Sequence, residues 1–117
     1  MAYTLYGIPN CDTVKKAKTW LENEGVEYTF FNFKKEELSF KKINQWYSEC
    51  GIETIVNKRG TTYRKLTEEQ KESLIDIKTA SSVIQENTSL IKRPVLEKDN
   101  VVIHVGFKQD DYYKLFH

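Results

Sequence analysis

The chain has 117 residues, 39% hydrophobic and 30% charged, with eighteen Lys and Arg against seventeen Asp and Glu for a net charge of +1. That length suits one domain with a core of ordinary size, and the near balance of charge excludes a general nucleic-acid or membrane surface as the expected partner. No apolar run nears the roughly 20 residues of a membrane span. The opening Met1-Ala2-Tyr3-Thr4-Leu5 also lacks the basic and apolar regions of a signal peptide, so a cytoplasmic, reducing location is expected. Two cysteines, Cys11 and Cys50, are too few for a disulfide framework or a Cys-only metal site. His104 and His117 add no ligand spacing, and no metal is expected.

Residues 2–6 read as a strand that runs into the turn "GIPN". From Asp12 the period changes: Val14, Ala17 and Trp20/Leu21 line one face of a helix. Gly25 follows where a left-handed cap is cheap. Residues 26–33 are β-branched and aromatic and read as a second strand, so the three elements form a βαβ unit with parallel strands. Ser39 is placed to cap a second helix carrying Phe40, Ile43, Trp46/Tyr47 and Cys50 on one stripe, with Gly51 ending it. Residues 52–66 read as an irregular basic loop, and Thr67 with Gln70 as a capping box before a further helix. Thr79 is expected to cap one more helix, with Val83 and Ile84 inward. Pro94 excludes a continuing helix and biases Arg93 to extended backbone. Residues 95–97 and 101–105 flank Asp99-Asn100 as an antiparallel hairpin. Residues 109–116 close the chain as a helix with Tyr112, Leu115 and Phe116. The order βαβ, several helices, ββα predicts an α/β architecture: a small mixed sheet with helices on it and a helical insertion over about residues 36–90 of a single domain, 1–117.

Cys50 lies on an apolar helical stripe and is expected to be a packed core residue. Cys11 sits where a strand meets a helix, at the N-cap or first turn. There, open N–H groups and the positive end of the helix dipole favour an anion and hence the reactive thiolate. Lys15 and Lys16 lie a turn further on, whereas the neighbouring Asp12 opposes a second negative charge. The alternative role for Cys11 is a small residue filling a tight corner. Position 14 is Val14, so no C-x-x-C disulfide can form, and a mixed disulfide on Cys11 would have to be resolved by an outside thiol, with glutathione the first expectation.

Three segments, "IPNCDTVKKAKTWL", "NKRGTTYRKL" and "IKRPVL…HVGF", occur in that order. Together they resemble the arsenate-reductase-like (ArsC/Spx) family, specifically its YffB-type branch, over essentially the whole length. The resemblance implies a thioredoxin-like fold with a helical insertion and a cis Arg93-Pro94 bond facing the Cys11 loop. It implies Cys11 as nucleophile with Arg59 and Arg93 as basic residues around it, and Asn10, Arg59, Arg93 and Pro94 as a substrate-binding set. An arginine fork suits both a thiolate and a bound oxyanion or carboxylate. Arsenate reductases of the group carry Asn-Pro-x-Cys and a further arginine where this chain has Gly106-Phe107, and here the order is Pro9-Asn10-Cys11. Spx-type regulators share the Gly-Phe but use a C-x-x-C switch, which Val14 removes. The expected function is therefore a glutathione-dependent thiol reductase with no bound cofactor. The alternatives are arsenate reduction and a non-catalytic Spx-like regulator. Glutaredoxin and RNA polymerase are the protein partners these readings imply.

Overall fold

A computed structural model describes residues 2–117. The expected first strand forms over Tyr3–Gly7 (β1) and the first helix over Asp12–Asn23 (α1). The end of α1 is a Schellman motif, with Gly25 at φ +70°, Val26 N–H donating to Leu21 O (2.9 Å) and Gly25 N–H to Glu22 O (3.1 Å). The second strand covers Tyr28–Asn32 (β2), shorter than the aromatic run suggested, and pairs parallel with β1. A hairpin of Val95–Lys98 (β3) and Val101–Val105 (β4) turns through Asp99 and Asn100, both at positive φ, the residue types that tolerate it best after glycine. β3 pairs antiparallel with β1, giving the strand order β2-β1-β3-β4. Gln109–Phe116 forms the closing helix as expected. The Arg93-Pro94 bond is cis, as the resemblance implied. The fold is thioredoxin-like, with a mixed four-stranded sheet and a helical segment between β2 and β3.

The chain divides into two compact units, Met1–Glu36 with Arg93–His117, and Glu37–Lys92. In the first, successive strand residues face opposite ways. Leu5 and its cross-strand partner Leu96 form the core with Ala17, Leu21 and Tyr112. Tyr6 lies on the other face against Phe31 (ring centroids 5.0 Å), and its hydroxyl donates to the buried Glu97 carboxylate at 2.7 Å. Burial, followed by that bond to Glu97, raises the Tyr6 pKa, so the phenol stays protonated as the donor. Tyr6→Phe should cost about 1–3 kcal/mol, because it removes a hydrogen bond from a desolvated carboxylate; urea unfolding measures it.

The second unit opens with Phe40–Cys50 (α2), whose N-cap Ser39 accepts from Lys42 N–H at 3.1 Å and which ends at Gly51, φ +80°. Residues 52–66 are not the irregular loop expected. Two four-residue helices, Ile52–Ile55 (α3) and Thr61–Arg64 (α4), occupy them, and Ile55, Val56 and Leu66 are buried. The capping box forms: Thr67 Oγ1 accepts from Gln70 N–H, and the Gln70 side chain accepts from Thr67 N–H, opening Glu68–Ser73 (α5). The next helix, Ile77–Glu86 (α6), is capped by Asp76 rather than Thr79. Asp76 reaches Lys78 N–H, while the Thr79 hydroxyl donates back to the Ser73 carbonyl at 2.6 Å. α6 packs on α2, with Ile43, Trp46, Val83 and Ile84 buried. Phe40 is 48% exposed and Cys50 only half-buried at the last position of α2, so neither belongs to the core expected of that stripe. The 109–116 helix, α7, buries Tyr112 but leaves Leu115 exposed. Among the described residues no helix is long and apolar enough to cross a membrane.

Candidate active site around Cys11

Cys11 is the N-cap of α1, with extended backbone (φ −96°, ψ 123°). Its N–H donates to Ile8 O at 3.4 Å and its carbonyl accepts the first helical bond, from Lys15 N–H at 3.0 Å. The thiol stands at the open N–H groups of the first turn of α1. Burial pushes its pKa up. The Val14 N–H, a hydrogen bond and the positive charge of Arg93, and the Thr13 N–H together outweigh burial and leave the thiol below its ordinary value. The opposition expected between Asp12 and the helix terminus thus resolves toward the thiolate. Arg93, 82 positions along the chain from Cys11, is half-buried at the entrance to β3, and the adjoining Pro94 is buried. Asn10 is exposed in the turn before the cysteine.

Val14 does more than vacate a cysteine position. It is fully buried, and a Cβ built on Gly7 would lie 2.8 Å from its Cγ2. The valine methyls therefore fill the space that a side chain at position 7 would need, which pins the first turn of α1 against the end of β1. Gly7→Ala should cost about 1–3 kcal/mol through overpacking, and adding Val14→Ala should recover part of it; thermal unfolding of the single and double variants is the check.

Arg59 belongs to the second unit. It is exposed in the loop between α3 and α4, where its N–H donates to Asn57 Oδ1 at 3.2 Å. Its neighbour Lys58 pairs with Glu53 at 2.6 Å. Cys50, also in the second unit, has its thiol pushed up by burial and by Glu49. It is thus the electrostatic opposite of Cys11. The structure brings together Cys11, Arg93 and the first-turn N–H groups of α1. The sequence reading missed the individual N–H donors of Thr13 and Val14, although the N-cap position of Cys11 was their signal. No group of three or more His, Cys, Asp and Glu among the described residues is arranged to hold a metal ion.

The pattern that defines the ArsC family matches residues 6–115, nearly the whole chain. The chain belongs to the ArsC family. It is 43% identical to the solved YFFB protein, with 97% of each chain covered and a TM-score of 0.88. It is 41% identical to an arsenate reductase (ArsC) related protein from Brucella melitensis, covering 99% of this chain and 95% of that one with a TM-score of 0.77. Similarity extends to the global transcriptional regulator Spx of Staphylococcus aureus, 33% identical over 92% of this chain and 82% of the regulator. This ArsC-family chain thus presents at a helix N-terminus a cysteine whose pKa is shifted below its ordinary value, beside an arginine that follows it by 82 residues.

Proposed function

We propose that this ArsC-family protein is a cytoplasmic thiol-dependent reductase with Cys11 as nucleophile and glutathione as co-substrate. The carrying observation is the Cys11 thiol, held below its ordinary pKa by the N–H groups of Val14 and Thr13 and by Arg93 against the opposing effect of burial. In this reading Arg93 stabilises the thiolate, while Asn10 and Pro94 contact substrate. With a glutathionylated thiol as substrate, the Cys11 thiolate attacks the glutathione sulfur and the substrate leaves as its thiolate. A second glutathione thiolate then attacks the same glutathione sulfur, and the Cys11 thiolate departs. The balance is one glutathione and one mixed disulfide converted to a free substrate thiol and glutathione disulfide. Val14 supports an outside resolving thiol, since it supplies no second sulfur in the loop.

Incubation with glutathione disulfide followed by intact-mass and peptide analysis tests the proposal. A single glutathione adduct on Cys11, absent from Cys11→Ser and reversed by glutathione, is expected. A Cys11 that takes no adduct and alkylates with the pH profile of a free cysteine would sink the reductase reading. The similarity to a global transcriptional regulator supports a second reading, in which the chain binds RNA polymerase without catalysis. Polymerase retained by both wild type and Cys11→Ser, with no adduct on Cys11, would favour that role. Arsenate reduction, the activity to which the Brucella protein's name relates it, predicts turnover of arsenate with glutathione and glutaredoxin. The reductase reading predicts none.

A further inference from the structure

Along α1 beyond Cys11 runs a groove of about 430 Å³. Lys15, Lys16, Thr19 and Trp20 of α1 line it, together with Phe107 and Gln109 from the connection of β4 to α7. Its aromatic residues are fixed from behind: Trp20 and Phe107 each meet the buried Tyr112 ring edge-on, at centroid distances of 5.6 and 4.6 Å. Among the described residues that line it, none is acidic. Asp12 and Asp110 stand beside it in sequence and are exposed, as Lys15 and Lys16 are, but do not line it. Two cations, two aromatic surfaces and hydroxyl and amide groups are complementary to carboxylates flanking an apolar side chain. A small inorganic anion would use the lysines and leave the aromatic surfaces idle.

The groove begins at Lys15, one helical turn beyond the cysteine. Lys15 donates its N–H to the Cys11 carbonyl, and helical side chains lean toward the N-terminus, here toward Cys11. We infer that this groove is the docking track for an acidic segment of a protein partner, anchored by an aromatic or aliphatic side chain, that delivers a disulfide sulfur to Cys11. The inference rests on Cys11 being the nucleophile. It adds that the preferred substrate is a polypeptide selected by charge, with Lys15 and Lys16 steering its approach.

Three activated disulfides test it: an acidic peptide with one phenylalanine, its lysine-substituted twin, and an uncharged hydroxyethyl compound, each carrying a thiopyridyl leaving group. Cys11 thiolate attacks the peptide sulfur and pyridine-thiolate leaves with the bonding pair, which absorbance follows. With each rate divided by that of the uncharged compound, the acidic peptide should react at least about tenfold faster than its twin at low salt. Most of that preference should vanish in about 0.5 M NaCl and in the Lys15→Glu/Lys16→Glu double variant. Equal rates for the two peptides, or a preference unchanged in the double variant, would overturn the groove assignment and leave Arg93 as the source of any selectivity. A separate arm titrates a sulfur-free acidic peptide into Cys11→Ser and reads tryptophan fluorescence at Trp20. Saturable quenching that the double variant loses is expected, and its absence overturns the inference. If no disulfide reacts at Cys11 but the quenching persists, the reductase reading fails while the docking groove stands.

Discussion

Tyr112→Ala is expected to remove about 3–5 kcal/mol of stability, the range for truncating a large buried aromatic. The Tyr112 ring is fully buried and meets Trp20, His104, Phe107 and Phe116, so its loss opens a cavity walled by four rings and removes the only α7 side chain in the first unit's core of fully buried residues. With total stabilities of about 5–15 kcal/mol for ordinary domains, that loss leaves little margin. Tyr112→Phe should do the reverse. Among the described residues the buried hydroxyl has no protein hydrogen-bond partner, and burial alone raises its pKa, so removing it should stabilise the protein by about 1 kcal/mol. Urea unfolding at one temperature reads both signs. A phenylalanine variant less stable than wild type would show that the hydroxyl has a partner, and an alanine variant within 1 kcal/mol of wild type would contradict the packing described.

Arg93→Ala should move the pH inflection of Cys11 alkylation upward. The thiolate is the species that alkylates, and Arg93 favours it through both a hydrogen bond and its charge. Losing both slows the reaction on the acidic side of the inflection while the alkaline plateau is retained. Arg93→Lys keeps the charge without the fork and should fall between the two. Peptide mapping separates Cys11 from Cys50, whose raised pKa delays its reaction to more alkaline pH. The same shift acts on stability. A folded-state pKa below that of the unfolded thiol adds stability that is fully present above the unfolded value of about 8.5, and that is lost as pH falls through the folded pKa. Wild type should therefore gain on Cys11→Ser as pH rises from about 7 to about 9, and Arg93→Ala should shrink that gain.

The elements with long periodic faces were legible in the sequence: the stripe Val14–Ala17–Leu21, the hairpin turning on Asp99-Asn100, and the closing helix. The capping box at Thr67–Gln70 was legible because both partners lie three residues apart. Where reading failed, the determining contact was short or distant. Four-residue helices such as 52–55 and 61–64 contain one turn and show no period. Asp76 and Thr79 are both good caps by type, and in the fold the Thr79 hydroxyl is taken by the Ser73 and Asp76 carbonyls while Asp76 caps. Cys50 shares the stripe of Ile43 and Trp46, but its place on the last turn leaves it half-exposed. The N-cap placement of Cys11 could be argued from chemistry. No spacing rule leads from Cys11 to Arg93, and that pairing came from the family resemblance alone. The groove that begins one helical turn beyond Cys11 is built from Trp20 and Phe107, 87 positions apart, which helical periodicity assigns to separate elements.

The strand order also bears on how the protein is made. β1 is an interior strand, yet its two neighbours come from opposite ends of the chain, β2 by residue 32 and β3 only from residue 95. On the ribosome, where chains grow at about 5–20 residues per second, β1 and β2 can pair early. The other edge of β1 then waits for more than sixty further residues before its partner emerges. During that interval Tyr6 lacks its carboxylate partner, and the row of N–H and C=O groups on β1 is an open template for another strand. A nascent chain stalled after residue 92 should therefore associate with itself or recruit a chaperone, whereas one extended past residue 98 can close the sheet at its centre.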